Sequence, residues 1–273
     1  MLIPRIADAR VETLARAFPA VIVTGPRQAG KTTLVRKMFP EHHFVSLDLP
    51  SLAEQAEREP ERFFGENPAP VIIDEVQYAP GLYRHLKRSI DEHRDTNGAF
   101  ILTGSQKLVL MKEVSDSVAG RAGLIDLENF SHRDLRAASL IDSSRSELLT
   151  AMARGFFPEL WKERELPHAD FFRSYLATYL ERDVRAILNV TSLRDFERSL
   201  RVLATRSATL LNKTDIAKDV GISPKAMGDW MSVLETSGTI SLLEPWFTNF
   251  GKRIVKGARS TSTTPACSAT SWA

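Results

Sequence analysis

The chain has 273 residues, 43% of them apolar, which is enough to bury a sizeable core in one or two domains. Its 36 Lys and Arg side chains nearly balance 34 Asp and Glu, so net charge argues neither for nor against a nucleic-acid partner. One cysteine, Cys267, excludes an internal disulfide and a multi-thiolate metal site. Because neither a long apolar run nor a signal peptide is present, we expect a cytoplasmic protein that makes no membrane contact.

Short apolar runs alternate with helical patterns over residues 1–138. The runs lack polar alternation, which is typical of strands buried on both faces of a parallel sheet. They span residues 20–25, 43–48, 69–75, 99–105 and 122–128, with helices predicted at 31–39, 51–58 and 82–94. This alternation predicts an α/β domain with a parallel sheet.

The stretch "GPRQAGKTT" follows the first predicted strand and fits the phosphate-loop pattern G-x-x-x-x-G-K-[ST]. Glycines let such a loop curl around phosphate with its N–H groups inward, while a lysine and a hydroxyl serve the phosphates and Mg²⁺. A buried strand before the loop and a helix after it support this interpretation. The sequence therefore predicts an ATP site formed by Gly25, Pro26, Arg27, Gln28, Ala29, Gly30, Lys31, Thr32 and Thr33.

Two carboxylates end the third predicted strand in "VIIDE". The carboxyl ends of parallel strands meet at the edge where α/β folds bind ligands. Asp74 is predicted to hold Mg²⁺ together with Thr32, and Glu75 to orient or deprotonate the attacking water. Gln77 and Tyr78 come next; they either contact substrate or begin a loop.

The fourth predicted strand ends in "ILTGSQ", where Thr103, Ser105 and Gln106 are polar. Ser105 is a candidate for contacting the γ-phosphate or the attacking water, and an ordinary polar turn is the alternative. Arg121, between two glycines before the last strand, is a candidate to stabilise transferring phosphate in its own subunit or a neighbour's. A surface arginine is the alternative, and the oligomeric state stays open.

Beyond residue 138 the strand pattern stops. We predict a linker at 139–150, a helical region at 151–208 and a helix–turn–helix with a β-hairpin wing at 209–257. In this last unit Thr214 is expected to cap the first helix and Gly221 to end it. Ser223 and Pro224 begin the second helix. The wing strands are predicted at 239–244 and 252–256.

A winged helix suggests reading of the major groove of DNA. The exposed start of the second helix, however, offers Lys225 and Asp229 and no bidentate side chain. Residues 151–257 carry 16 basic and 13 acidic side chains, which is far from the strongly basic surface of a DNA-binding module. DNA contact through Lys252, Arg253 and Lys256, and packing against protein, both stay open.

Several motifs together resemble a family of bacterial and archaeal AAA-like P-loop ATPases with a DUF4143-type C-terminal region. The resemblance rests on "GPRQAGKTTL" (25–34), "VIIDEVQ" (71–77), "ILTGSQ" (101–106), "LIDLENFSHRDL" (124–135), "GFFPEL" (155–160), "YLERDV" (179–184) and "KRIVKG" (252–257). It implies an additional strand between the phosphate-loop strand and the Asp-Glu strand. It also implies ATP hydrolysis by Lys31, Thr32, Asp74 and Glu75, with Arg121 as a candidate arginine finger.

These features predict a Mg²⁺-dependent ATPase that couples hydrolysis to a conformational switch in the winged-helix region. The alternatives are a scaffold that holds nucleotide without hydrolysing it and binds protein, and a DNA-binding regulator.

The last stretch, "TSTTPACSATSWA" from Thr261, has the small-residue composition of a disordered tail. The resembled family usually continues instead with a string such as "YFYDTGLLCYLLG". With suitable codons, that string read one base late gives this tail residue by residue. We therefore expect a frameshift near residues 256–260, after which 258–273 is not native fold and Cys267 and Trp272 carry no function.

Overall fold

The computed structural model describes residues 3–105, 120–179, 193–243 and 259–262. It divides into two compact units, Met1–Ala138 and Ser139–Ala273, which are described separately below.

The first unit is built on a five-stranded parallel sheet, as the apolar runs predict. The strands are β1 (Ala20–Thr24), β2 (His43–Ser46), β3 (Val71–Asp74), β4 (Phe100–Gly104) and β5 (Ala122–Asp126). Their order across the sheet is β2-β3-β4-β1-β5, and every pair is parallel. The expected additional strand is confirmed, because β4 lies between the phosphate-loop strand β1 and the acidic strand β3.

Helices cover both faces of this sheet. They are α1 (Ile6–Ala17), α2 (Lys31–Met38), α3 (Pro50–Arg58), α4 (Pro60–Glu66), α5 (Leu82–Glu92) and α6 (His132–Ala137). Successive strand residues face opposite sides, so Val21 and Val23 pack with α1 and α2 while Ala20 and Ile22 pack with α3, α4 and α5. The sequence patterns above include neither α1 nor α4.

In the described residues of the second unit, the first helices are α7 (Arg145–Arg154), α8 (Pro158–Lys162), α9 (His168–Tyr179) and α10 (Leu193–Thr205). Helix α7 occupies much of the predicted linker, which is a correction. The Ser144 side chain accepts a hydrogen bond from the Glu147 N–H at 3.2 Å and so caps a helix where a linker was expected. Aromatic rings form part of the core, with Phe157 packing against Phe171 and Phe172.

Two further helices, α11 (Lys213–Val220) and α12 (Pro224–Thr236), follow and are joined by a short turn. Gly221 ends α11 in the left-handed conformation and Ser223 caps α12, both as expected. The cap of α11 is Asn212 and not Thr214: its side-chain oxygen accepts from the N–H groups of residues 214 and 215. Asn212 precedes the helix and can reach the free N–H groups of the first turn.

Strand β6 (Ile240–Leu243) pairs antiparallel with β7 (Arg259–Ser262). The hairpin partner therefore differs from the predicted 252–256, a range that lies outside the described residues together with the basic cluster at residues 252, 253 and 256. Strand β7 falls inside the stretch predicted to be non-native, and Cys267 and Trp272 lie outside the described residues. Among the helices that the structure describes, none is long and apolar enough to cross a membrane.

Candidate nucleotide site

The loop between β1 and α2 has the backbone that a phosphate cradle needs. Gly25 and Gly30 have φ angles of 139° and 87°, and Gln28 adopts 60°, so three loop residues lie at positive φ. A Cβ atom on Gly25 would lie 2.1 Å from the carbonyl oxygen of Leu127. Position 25 therefore requires glycine, both because its φ angle is positive and because the chain after β5 approaches closely.

Lys31 lies inside this loop and is only 5% exposed. Its Nζ donates to the carbonyl oxygens of Gly25 at 3.0 Å and Pro26 at 2.9 Å. Burial lowers the pKa of Lys31 from the ordinary 10.5; the carboxylate of Glu75 opposes this shift, whereas the charge of Arg27 adds to it. The arrangement keeps a desolvated cation among carbonyls that phosphate oxygens can replace.

Asp74, at the end of β3, is 6% exposed. Its carboxylate accepts hydrogen bonds from hydroxyl groups on three different elements. Its Oδ1 accepts from Thr32 at 2.7 Å and from Thr103 at 2.5 Å, and its Oδ2 accepts from Ser46 at 3.3 Å. A carboxylate beside a hydroxyl at the first turn of α2 is the hard oxygen set that Mg²⁺ prefers. The predicted metal pair, Thr32 and Asp74, is thus brought into contact, and its chemistry fits Mg²⁺.

Glu75 follows Asp74 with φ 54°, an uncommon conformation for a residue other than glycine. Its N–H donates to Thr103 Oγ1 at 3.2 Å, and its carboxylate accepts from Ser105 Oγ at 3.1 Å. The Gln77 amide nitrogen donates to the same carboxylate oxygen. The ends of β3 and β4 therefore bring the predicted residues Glu75 and Ser105 into contact, together with Gln77 and Thr103. Gln106 lies outside the described residues.

Arg121 is not brought to this site within one chain. It immediately precedes β5, at the end of the sheet opposite the phosphate loop, and about 13 Å of strand separates the two ends of β5. Its Nε lies 2.5 Å from Asp91 Oδ1, and this hydrogen bond lowers the pKa of Asp91. This position does not support a role for Arg121 within its own subunit. The sequence pattern did not tell which end of the sheet the residue occupies.

The structure adds an arginine that the sequence patterns miss. Arg5, just before α1, donates from Nη1 to the carbonyl oxygen of the loop residue Ala29 at 2.6 Å and from Nη2 to that of Glu128. Its guanidinium lies 4.9 Å from the centroid of the Phe130 ring. Arg5 thus ties the phosphate loop to the segment after β5, and no local motif marks it because its partners are distant backbone carbonyls.

Comparisons with known proteins agree with this fold. Residues 17–135 match the model of an AAA domain, and residues 145–260 match that of a domain of unknown function, DUF8612. The second match is to a different domain from the DUF4143 type that the sequence resemblance implies, so that part of the expectation is not confirmed.

Two relatives, uncharacterized proteins of Mycobacterium tuberculosis and Mycobacterium bovis, are each 30% identical over 257 residues. The alignments cover 91% of this chain and 55% of each relative, so the chain spans about half the length of these proteins.

A solved Walker-type ATPase of Pyrococcus abyssi superposes with a TM-score of 0.60 at 15% identity, over 99% of this chain and 96% of that one. At this identity the likeness concerns the fold alone. The AAA match and the parallel sheet with its additional strand together support an AAA-like P-loop domain in the first unit, and the structural neighbour agrees with this fold.

Proposed function

We propose that the chain binds ATP with Mg²⁺ and hydrolyses it at the carboxyl edge of the five-stranded sheet. The observation that carries this proposal is the 2.7 Å hydrogen bond from Thr32 Oγ1 to Asp74 Oδ1. It unites the end of the phosphate loop with the acidic strand, and the buried Lys31 lies beside them. An ordinary glycine turn would need neither a buried cation nor a buried carboxylate, each of which is costly to desolvate.

Each residue has a definite task in the proposed reaction. The loop N–H groups and Lys31 bind the phosphates, and Lys31 exchanges its carbonyl acceptors for phosphate oxygens. Thr32 and Asp74 would hold Mg²⁺, which when bound neutralises charge on the β- and γ-phosphates. Glu75 accepts a proton from water while the water oxygen bonds to the γ-phosphorus. The bond from the γ-phosphorus to the bridging oxygen breaks, and ADP leaves with the electron pair.

Two further roles belong to this proposal. Ser105, which already donates to Glu75, is suited to contact the γ-phosphate or the attacking water. Arg121 is proposed as a phosphate-stabilising residue only for a neighbouring subunit, because it lies at the far end of its own sheet. That role requires an oligomer in which Arg121 exchanges Asp91 for phosphate.

Mg²⁺-dependent phosphate release tests the proposal, with parent, Lys31→Ala and Lys37→Ala compared. Lys37 is a matched control because it lies on the same helix, α2, and pairs with Asp8 at 3.2 Å on the surface. Lys31→Ala should lower turnover on the order of 10²-fold or more, since it removes a preorganised charge from the phosphates. Lys37→Ala should match the parent, and equal rates in all three proteins would overturn the proposal.

We further propose that ATP hydrolysis drives a conformational switch in the C-terminal unit, with residues 209–257 acting as a winged-helix region. Helices α11 and α12 support this, because the left-handed Gly221 and the Ser223 cap give the tight turn of a helix–turn–helix. The near balance of charge in this part of the chain favours a protein contact over DNA. A DNA-binding regulator and a non-hydrolysing scaffold are the competing candidates.

ATPase rates with and without duplex DNA, at several salt concentrations, separate these candidates. Binding to DNA phosphates releases counterions, so stimulation by DNA should fall steeply as salt rises. For a protein-directed switch we expect no response to DNA at any salt concentration. Stimulation that disappears with salt would support the DNA-binding regulator, and ATP binding without turnover would support the scaffold.

A further inference from the structure

Gln77 makes contacts that the proposed reaction has not yet used. It is 5% exposed, and its Nε2 donates to the Glu75 carboxylate and lies 3.3 Å from Ser105 Oγ. Ser105 Oγ donates to the same Glu75 oxygen at 3.1 Å. Two side chains from neighbouring strand ends therefore hold one oxygen of the carboxylate that is proposed to act on water.

The turn that carries Gln77 is fixed on two sides. It is a single 3-10 turn, Val76–Tyr78, entered through the left-handed backbone of Glu75. Val76 is fully buried in the core beneath the sheet edge. On the other side, Arg27 Nη2 donates to the Tyr78 hydroxyl at 3.0 Å and so joins the turn to the phosphate loop. The turn that carries Gln77 is consequently held between the core and the phosphate loop.

The far end of the same carboxamide is unsatisfied. Within the part of the chain that the structure describes, the buried Gln77 Oε1 has no hydrogen-bond donor. Turning the amide over would bring this carbonyl oxygen against the Glu75 carboxylate, so Glu75 sets the orientation. A buried acceptor without a donor is unfavourable for folding. This amide therefore serves Glu75 at the expense of stability, which is typical of functional sites.

We propose that Gln77 is a positioning residue for ATP hydrolysis: its amide N–H fixes the Glu75 carboxylate so that the free oxygen faces the attacking water. This inference rests on the proposed ATPase function. The proton transfer and phosphorus–oxygen bond changes are those given for Glu75, and Gln77 neither gains nor loses a proton. A small displacement of a reacting group lowers rates strongly, so the fixed geometry is the contribution of Gln77.

The replacement Gln77→Met tests this role, because methionine is similar in length and flexible but cannot donate a hydrogen bond. The variant should lower kcat by up to about 100-fold and leave the KM for ATP unchanged. Its thermal midpoint should stay close to that of the parent, since the lost hydrogen bond to Glu75 is offset by removal of the unsatisfied carbonyl. Gln55→Met is the matched control, because Gln55 also donates to a glutamate, Glu66, but on the surface.

A double-mutant cycle with Glu75→Gln separates positioning from a general structural role. If Gln77 acts through Glu75, then Gln77→Met should cause no further loss of kcat in the Glu75→Gln background. A full additional loss there, a kcat equal to the parent in the single variant, or a fall in thermal midpoint that accounts for the lost rate would overturn the proposal. If the parent itself releases no phosphate, it is the ATPase proposal that fails.

Discussion

The two units of the chain use their buried polar side chains in opposite ways. In the first unit most of them lie at the carboxyl edge of the sheet, among them Lys31, Asp74, Thr103 and Ser105. Among the described residues of the second unit, only Ser199 is a buried polar side chain, and its hydroxyl donates to the carbonyl of Phe196 in its own helix. Other polar side chains described in the second unit cap helices, as Asn212 and Ser223 do, or form ion pairs on the surface, as Arg173 and Asp170 do.

This difference supports the proposal that the chemistry takes place in the first unit. Burying polar groups costs free energy unless they are paired, so a fold gathers them only where geometry must be held. The first unit holds a connected set of hydroxyl, carboxylate, amide and ammonium groups at one edge. The second unit is stabilised by apolar and aromatic packing, such as Phe172 against Phe157 and Phe171. We therefore expect changes in the second unit's core to affect stability, and changes at the sheet edge to affect nucleotide chemistry.

The largest expected effect is a loss of stability in the second unit that leaves ATP binding by the first unit unchanged. Phe172 is fully buried in α9, so Phe172→Ala should lower the free energy of unfolding of the second unit by about 3–5 kcal/mol. ATP affinity should remain that of the parent under native conditions. Denaturant unfolding measures the free energy of unfolding, and nucleotide titration measures the ATP affinity. The control is Arg173→Ala, which changes the exposed neighbour of Phe172. A loss of ATP affinity as large as the loss of stability would contradict the division of stability and nucleotide chemistry between the two units.

A smaller effect follows from the buried cation in the first unit. Because burial lowers the pKa of Lys31, the free protein loses this charge at a lower pH than an ordinary lysine at 10.5. Phosphate favours the charged form of Lys31. Above the lowered pKa, ATP binding must therefore be accompanied by protonation of Lys31, and the affinity for ATP falls by up to about tenfold per pH unit. Titrations from neutral to alkaline pH should show this fall beginning below pH 10.5. An affinity that stays flat up to that pH would contradict it.

The smallest expected effect concerns Arg121, a charged residue of the first unit that lies away from the cluster. Its ion pair with Asp91 is near the surface, and such pairs contribute little to stability. Arg121→Ala should leave the thermal midpoint, the ATP affinity and the turnover of dilute protein unchanged. If the variant is slower than the parent only at high protein concentration, the result would favour a role for Arg121 in a neighbouring subunit. If the variant is slower at every concentration, the result would contradict the placement of Arg121 outside the site of its own chain.

Much of the first unit follows from sequence because its signals are local. Buried parallel strands are apolar without alternation, and a phosphate loop needs glycines at fixed spacing, so β1 and the loop from Gly25 are predictable. The contact of Thr32 with Asp74 also follows, since parallel strands bring their carboxyl ends to one edge. The presence of an additional strand between β1 and β3 was implied by the family resemblance, whereas the positions of β2 and β5 in the sheet were not predicted.

Other features depend on contacts between distant residues. Arg5 donates to the backbone carbonyl oxygens of Ala29 and Glu128. Every residue type has a backbone carbonyl, so the sequence does not reveal these partners. The sequence placed Gln77 close to the acidic pair but did not reveal that its amide turns back onto Glu75, because this depends on the left-handed backbone there. In the second unit, helix α7 was missed because polar residues in its first turn resemble a linker until Ser144 is seen to cap it.

The central claim is that the cluster at the sheet edge hydrolyses ATP through Glu75, and Glu75→Gln tests it most directly. The replacement keeps size and hydrogen-bonding ability but removes the base, so ATP should bind with the parent's affinity. Hydrolysis in a single turnover with Mg²⁺ should slow by about 10²–10⁴-fold.

The matched control is Glu66→Gln, which changes a surface carboxylate of the same unit that pairs with Arg62 at 2.7 Å. This control should hydrolyse ATP at the parent's rate. The account predicts a Glu75→Gln protein that retains bound ATP uncleaved. A variant that binds ATP and cleaves it as fast as the parent would contradict the account.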